Sequence, residues 1–410
     1  MEHFEQYLEH YAEITVKIGL NVQEGQDVLI FAPIESPELV RKVVQKAYEA
    51  GANDVFVEWS DETVTRIKYD LASEASLAHF PKWKAEGYNA LAENNGVFLY
   101  VYAPNPDLLQ GIDPARVAKV QKAASEATKP SVDARKSAKV SWSIVSVPTA
   151  AWAAKIFPDM GEKERIEALW KQIFTISRAD RSHPEEAWKE HIRTLNEKLN
   201  ILNEKQLKTL HYKGPGTNLT IELPPEHLWA GGGMTNAKGT PFQPNIPTEE
   251  VFTMPLKTGV NGKVSSTKPL NYAGRLIENF SLTFRNGRIV DFQAEKGYDT
   301  LKTIIETDEG SHYLGEVSLV PDRSPISDTG LIFYNTLFDE NASCHLAIGA
   351  ALPFNLKGGK EMSEEALAEA GANISLTHVD FMVGSDALDI DGETADGRSL
   401  PIFKKGNWAI

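Results

Sequence analysis

The residues best suited to chemistry are acidic and imidazole side chains in apolar segments of the second half of the chain. They are Glu250, Glu316, Glu340, His345, His378 and Asp380. His378 and Asp380 lie two residues apart before an apolar run, and residues two apart on a strand face the same side. The pair could therefore bind one cation. A core histidine beside a surface aspartate is the alternative interpretation of the same pattern.

Residues 338–349 place two acids and His345 within a few positions of a predicted strand-to-helix junction. Asn341 and Ser343 are typical of turns and helix caps, and residues 346–351 predict a helix that begins beside the histidine. Glu340 and His345 would then bind a cation from the loop side, as one wall of a metal site. A helix-capping loop with a buried histidine is the alternative.

Glu316 and Glu250 lie next to segments that predict burial. Glu316 is flanked by apolar or small residues in the run 314–320. A buried carboxylate without a partner is unfavourable, so we expect an arginine, a lysine or a metal ion beside it. Glu249 and Glu250 precede the apolar run 251–254, and we expect one to lie at the surface and the other to point inward.

Taken together, these side chains amount to four carboxylates and two imidazoles in one half of the chain. A site rich in carboxylates suits a pair of divalent ions, because bridging carboxylates neutralise both charges. A structural zinc ion would prefer thiolates, and Cys344 is the single cysteine. Its apolar surroundings predict a small buried thiol rather than a nucleophile.

Composition excludes several classes of function. The 410 residues include 42 Lys and Arg against 57 Asp and Glu, so the net charge is 42 − 57 = −15. This balance argues against a nucleic acid or an anionic membrane as the main partner. A single cysteine fits a reducing compartment, and we identify neither a signal peptide nor an apolar run of membrane-spanning length. We therefore expect a cytoplasmic protein.

Strands and helices alternate in the first half of the chain. Apolar runs predict buried strands at 28–31, 55–57, 97–102 and 140–147, and the predicted helices are 2–20, 36–50, one from Asp61, 74–91 and 114–126. Such alternation predicts a parallel sheet covered on both faces. No glycine-rich nucleotide motif occurs in this half, so a scaffold or a partner surface is the favoured interpretation.

Two long amphipathic helices around residues 166–202 lead into a second half of different character. Hairpins are predicted at 214–216 and 285–288, a helix at 298–308, and strands at 313–320, 330–336 and 374–383. We predict an N-terminal α/β domain at 1–203 and a C-terminal, largely antiparallel α+β domain at 204–410 that binds the metal.

Four segments resemble the thermophilic metalloaminopeptidase family of aminopeptidase T, AmpS and PepS. They are NIPTEEVFTMP (245–255), GEVSLV (315–320), FYNTLFDENASCHLAIG (333–349) and HVDFMVGS (378–385). The resemblance implies a homodimer in which two divalent ions, zinc, cobalt or manganese, are bound by the six candidate residues. It also implies an α/β N-terminal domain and a C-terminal metal domain.

The function that the resemblance implies is release of N-terminal amino acids from peptides with a free amine. The ions would activate a water molecule, and Glu316 would act as general base, an effect typically worth ~10²–10⁴ in rate. The alternatives are a dinuclear metal amidohydrolase or phosphoesterase on another small substrate, a peptide-binding metalloprotein with weak or no turnover, and a structural dimer stabilised by metal.

One position departs from the family pattern. Family members usually carry a tyrosine, taken to stabilise the tetrahedral intermediate, where this chain has Leu352. Tyr334 is another phenol nearby in sequence. The departure affects the expected rate of cleavage and leaves the predicted metal ligands unchanged.

Overall fold

The computed structural model describes residues 2–103, 105, 107–272 and 275–410. The chain divides into two compact units, Met1–Glu190 with Gly233–Pro247 and His191–Gly232 with Thr248–Ile410. The division after Glu190 falls within a long helix. The predicted domain limits, 1–203 and 204–410, stay a prediction.

Helices and parallel strands make up the first part of the chain. In order they are α1 (Phe4–Ile14), a π-helical turn (Thr15–Leu20), β1 (Asp27–Pro33), α2 (Pro37–Glu49), β2 (Asp54–Ser60), α3 (Glu62–Leu71), α4 (Glu74–Leu77), α5 (Lys82–Glu93), β3 (Val97–Tyr102), α6 (Pro114–Ala127), α7 (Lys129–Lys136), β4 (Trp142–Ser146), α8 (Ala150–Ile156), α9 (Glu162–Ile176) and α10 (Pro184–Lys205). Strands β1 to β4 form a parallel sheet in the order β2-β1-β3-β4. The central strands β1 and β3 bury consecutive apolar residues, as strands with both faces covered must.

Short strands dominate the rest of the chain. In order the elements are β5 (Leu207–Gly214), β6 (Thr217–Glu222), β7 (Ala230–Gly231), β8 (Met234–Thr235), β9 (Pro241–Phe242), β10 (Val251–Thr253), β11 (Val260–Ser265), β12 (Leu270–Tyr272), β13 (Arg275–Arg285), β14 (Arg288–Lys296), α11 (Tyr298–Ile305), β15 (Leu314–Leu319), α12 (Thr336–Asp339), β16 (His345–Gly349), α13 (Glu364–Glu369), β17 (His378–Met382), β18 (Asp389–Thr394), β19 (Ser399–Lys404) and β20 (Asn407–Trp408). Short 3₁₀ turns lie at Gly310–His312, Ser327–Thr329, Glu340–Ala342, Pro353–Asn355 and Gly359–Glu361.

Two antiparallel sheets organise the described residues of the second unit. The larger has the order β12-β13-β11-β6-β5-β18-β19-β20, with β14 paired to β13. The smaller, which we call the ligand sheet, has the order β17-β16-β15-β10-β7. A parallel sheet followed by largely antiparallel sheets confirms the predicted fold class. None of the helices in the described residues is both long and apolar enough to span a membrane.

Both predicted hairpins are confirmed, because their turn residues meet a local backbone requirement. Strand β5 pairs with β6 as far as Gly214 and Thr217. Asn286 and Gly287 join β13 to β14, and both have positive φ angles of 49° and 81°. Two successive positive φ angles match the twist of a two-residue hairpin, and Asn-Gly tolerates them well.

Two predicted elements are wrong. Residues 346–351 are not a helix, because residues up to Gly349 continue strand β16 in the interior of the ligand sheet. A short apolar run does not reveal its own period, so neighbouring strands decided its conformation. Residues 330–336 are not a strand: Gly330 and Tyr334 have positive φ angles, and the Asp339 carboxylate accepts bonds from the backbone amides of this loop.

Candidate metal centre

One face of the ligand sheet carries most of the predicted metal ligands. Glu316 on β15 lies opposite Ala347 on β16, and Ala347 lies opposite Asp380 on β17. Alternate residues of a strand share a face, which also places His345 and His378 on this side. The small side chain of Ala347 leaves space between the two carboxylates. The sheet register therefore gathers residues that are up to 64 positions apart (380 − 316).

Two groups of ligating atoms meet at Glu316. In one group, His345 Nε2 lies 3.2 Å from Glu250 Oε2 and 3.6 Å from Glu316 Oε1. In the other, His378 Nε2 lies 3.5 Å from Glu316 Oε2 and 3.4 Å from Asp380 Oδ1. Within each group the candidate ligand atoms are all within 4.8 Å of one another. Because its two oxygens face different imidazoles, Glu316 belongs to both groups.

Backbone carbonyls orient both imidazoles. His345 Nδ1 lies 3.0 Å from the carbonyl oxygen of Ser343, and His378 Nδ1 lies 2.8 Å from that of Ala350. A carbonyl oxygen only accepts hydrogen bonds, so each Nδ1 donates and each Nε2 faces the carboxylates. This is the usual arrangement for histidines that bind metals, because it fixes the tautomer and the ring orientation.

The electrostatics of the cluster favour binding of positive charge. Burial lowers the pKa of His345, but hydrogen bonds to Glu250 and Glu316 outweigh it, and the pKa is raised well above its usual value. Burial also lowers the pKa of His378, yet the negative charge of Asp380 raises it to about 10. Burial raises the pKa of Glu316. Protons on the imidazoles thus partly balance the acids when no other cation does.

The donor set fits divalent metal ions. Glu250, Glu316, Glu340 and Asp380 carry four negative charges when ionised, which two divalent ions would neutralise (−4 + 4 = 0). Mixed carboxylate and imidazole ligands suit zinc, manganese or cobalt. The buried Oδ1 atom of Asp380 accepts no hydrogen bond of ordinary geometry from the described residues. A buried carboxylate oxygen in this situation is best satisfied by a cation.

Glu340 lies beside the two groups rather than within them. It is in the 3₁₀ turn Glu340–Ala342, and burial together with the charges of Asp380 and Glu250 raises its pKa well above the usual value. The buried Asn341 donates to the Glu340 Oε1 atom at 3.4 Å and accepts a bond from the backbone amide of Glu249 at 2.7 Å. Asn341 therefore connects the Glu340 turn to the segment that carries Glu250.

A β-bulge sets the direction of Glu316. The pairing of β15 with β16 shifts between Leu314 and Glu316, so Gly315 is the extra residue. A Cβ atom at Gly315 would collide with the carbonyl oxygens of Gly349 and Ala350. Only glycine allows the two backbones to approach this closely. The same Ala350 carbonyl orients His378, so the bulge positions ligands on two strands.

Sequence reasoning missed one polar contact of the cluster and misjudged another. Ser318, two residues after Glu316 on the same face, donates from Oγ to Glu250 Oε2 at 2.8 Å. Its alternation with Glu316 was the available signal. We expected one of Glu249 and Glu250 to lie at the surface, and neither does: Glu249 is 4% exposed, with one oxygen 3.5 Å from His191 Nε2, and the Glu250 side chain is 12% exposed. Burial of both glutamates reflects packing against non-local partners.

Two further positions bear on the departure from the family pattern. Leu352 is half-buried and directly precedes the 3₁₀ turn Pro353–Asn355, so it does not lie on a helix. Tyr334 is half-buried in the loop closed by Asp339, with a φ angle of 53°. A positive φ angle in a bulky residue marks a strained conformation that the surrounding structure must stabilise.

Comparison with known proteins gives similarity over the whole chain. The family model described as thermophilic metalloprotease (M29) matches residues 4–408. Aminopeptidase AmpS of Bacillus subtilis (strain 168) is 53% identical over 410 residues, covering 100% of both chains. Aminopeptidase T of Thermus aquaticus is 41% identical, also over 100% of both. The solved structure of wild-type AmpT from Thermus thermophilus matches with a TM-score of 0.94 at 40% identity, covering 99% of this chain and 100% of that one. The resemblance predicted from the four segments is confirmed.

Proposed function

The chain belongs to the thermophilic metalloprotease (M29) family and is a peptidase, and from this premise we propose that it is a two-metal aminopeptidase. Its substrates would be peptides with a free N-terminal amine, since its relatives are named aminopeptidases. The observation that best supports two ions is Glu316, whose oxygens face two separate imidazoles. A single carboxylate shared in this way is typical of dinuclear sites.

The residues proposed to hold the ions are Glu250, Glu316, Glu340, His345, His378 and Asp380. When bound, the ions would supply Lewis acidity and a water molecule of lowered pKa, and zinc, cobalt and manganese all suit these donors. A free N-terminal amine can be held by a metal ion or by a carboxylate, and an acetylated amine offers neither a charge nor a basic nitrogen for such a contact. This difference favours an exopeptidase that acts on the first peptide bond.

Glu316 is proposed to accept the proton of the attacking water and to deliver it to the leaving amine. Its side chain is only 7% exposed, and a positioned carboxylate of this kind can transfer a proton in the transition state. Glu340 offers a contrast, because it is also buried with a raised pKa but lies beside the two groups of ligating atoms. Glutamine variants at the two positions therefore show which of the two glutamates acts as the general base.

The experiment compares Glu316→Gln and Glu340→Gln with the wild type in an aminoacyl anilide assay, with the metal content of each protein measured by mass spectrometry. Glu309→Gln is the control, since the Glu309 side chain is 71% exposed. We expect two ions per wild-type chain and loss of ~10²–10⁴ in kcat for Glu316→Gln at restored metal content. Near-wild-type turnover of that variant would remove the base assignment. Loss confined to Glu340→Gln at full metal content would transfer the role to Glu340.

A second comparison tests the aminopeptidase assignment itself. Peptides with a free amine and their N-acetylated counterparts are offered to the metal-loaded enzyme. We expect cleavage of the free-amine series alone, because only a free amine can be held by a metal ion or a carboxylate of the site. Equal turnover of both series would favour an amidohydrolase. Tight binding with intact peptide recovered would favour the peptide-binding alternative, which Leu352 motivates.

A homodimer and a cytoplasmic location complete the proposal. Cys344 is a buried free cysteine, and a single cysteine fits a reducing compartment. Light scattering measures the oligomeric state of the purified protein, and fractionation of source cells measures its location. A monomer at micromolar concentration would contradict the first, and recovery outside the cytoplasmic fraction would contradict the second.

A further inference from the structure

Strand β10 continues from Glu250 into an aromatic residue on the same side of the ligand sheet. Phe252 lies opposite Ser318, whose Oγ atom donates to Glu250 Oε2 at 2.8 Å. Side chains directly opposite in an antiparallel pair have Cβ atoms about 4.5–5.5 Å apart. Two residues of strand span about 7 Å, so Phe252 stands roughly one side-chain length from the ligand Glu250.

A second ring completes this aromatic surface. Phe354 lies in the 3₁₀ turn after β16, and its ring meets that of Phe252 edge-to-face, with centroids 5.9 Å apart at 76°. The buried Asn355 donates to the carbonyl oxygens of Phe252 at 3.3 Å and Leu228 at 3.1 Å. The backbone amide of Leu228 donates in return to the Asn355 carbonyl at 2.7 Å. These bonds hold the turn, and hence the Phe354 ring, against β10.

The two rings are not explained by the main core. Among the described residues, the large apolar cluster of this unit takes Val251, Val317 and Leu346 from the opposite face of the sheet and includes neither ring. Met254, the next residue on the ligand side of β10, is fully buried in a separate cluster. Phe252 and Phe354 remain half-buried between that cluster and the metal ligands. Apolar side chains next to a few convergent polar groups are the usual lining of a ligand site.

We infer that Phe252 and Phe354 form one wall of the subsite that accepts the side chain of the first substrate residue, and that this wall selects apolar and aromatic side chains. The inference rests on the proposed aminopeptidase function. The substrate amine and scissile carbonyl are held at the acidic cluster, and the first side chain branches between them. An aromatic wall one side-chain length away would contact a leucine or phenylalanine side chain but would hardly touch an alanine methyl group.

The test measures kcat/KM of Phe354→Ala and Phe252→Ala on alanine, leucine and phenylalanine anilides. We expect losses of about 10–100-fold on the leucine and phenylalanine substrates and a change of less than about 3-fold on the alanine substrate. Phe292→Ala is the matched control, because Phe292 stacks on Tyr298 at 5.2 Å on the larger sheet. Phe354→Leu, which keeps an apolar side chain, should recover part of the selectivity.

Equal losses on all three substrates would indicate a purely structural role and overturn the inference, as would unchanged selectivity. Calorimetric binding of phenylalaninamide and alaninamide to the metal-loaded proteins gives a readout that needs no turnover. Weaker phenylalaninamide binding by Phe354→Ala, with alaninamide binding unchanged, would support the subsite even if the wild type cleaved no anilide. In that case the proposed function would fail while the subsite stood. Equal binding of both amides by wild type and variants would overturn the subsite alone.

Discussion

The substitution Gly315→Ala adds one methyl group next to Glu316, the proposed bridging ligand, without changing any of the proposed ligands. Gly315 is the extra residue of the bulge in β15. Its new Cβ atom would meet the carbonyl oxygens of Gly349 and Ala350, which are backbone atoms and cannot rotate away. The strands must separate, and both Glu316 and the carbonyl that orients His378 would move with them.

The size of the effect follows from the geometry. The added Cβ atom would stand about 1 Å inside the closest tolerated separation, and a misplacement of ~1 Å at a catalytic site can cost ~10² in rate. Forcing an extra carbon into a packed interior typically destabilises a protein by about 1–3 kcal/mol. We therefore expect a folded variant with reduced metal content and a kcat/KM lowered by ~10²-fold.

The assay compares wild type and Gly315→Ala for bound metal, for anilide turnover in excess metal and for chemical denaturation. Gly214→Ala is the matched control, because its new Cβ atom would lie 3.4 Å from a leucine side chain, an ordinary contact in strand β5 of the same unit. The control should keep wild-type metal content and turnover. Full metal content and turnover in Gly315→Ala would refute the reasoning that the bulge positions Glu316.

Three more predictions concern the metal-free cluster. A histidine with a raised pKa keeps its proton until the pH reaches that value, and metal must displace it, so affinity should rise with pH. The pKa of His378 is about 10, so metal must displace its proton at both pH 7 and pH 8.5, and affinity at its site should rise ~30-fold between these two values. Chelator competition measures this rise, and a flat profile would contradict it. Metal binding at pH 7 should also release at least two protons, one each from His345 and His378. Calorimetry in two buffers of different ionisation enthalpy measures the number released. Release of fewer than one proton would exclude protonated imidazoles in the metal-free protein. Ser318→Ala removes the hydroxyl that donates to Glu250 Oε2, and it should weaken metal binding by ~10–100-fold without unfolding the protein. An unchanged affinity would show that the hydroxyl does not orient Glu250.

Local patterns in the sequence predicted much of the fold. The alternation of buried strands with capped helices predicted the parallel sheet, because apolar runs and turn residues act over a few positions. Asn286-Gly287 predicted its hairpin for the same reason. The candidate ligands were recognisable because charged side chains in apolar runs need partners. The structure brings five of them into two groups and places Glu340 beside them.

Only the tertiary structure decided which residues meet and how they point. The run after His345 became an interior strand because β15 and β17 pair with it on either side, and no local signal contains that information. Register between strands also placed Glu316 between two imidazoles and Phe252 beside the cluster. Contacts such as Asn341 with Glu249 join residues 92 positions apart. The sequence by itself determined the chemistry that was available, whereas long-range pairing, which no short segment specifies, determined the geometry that combines it.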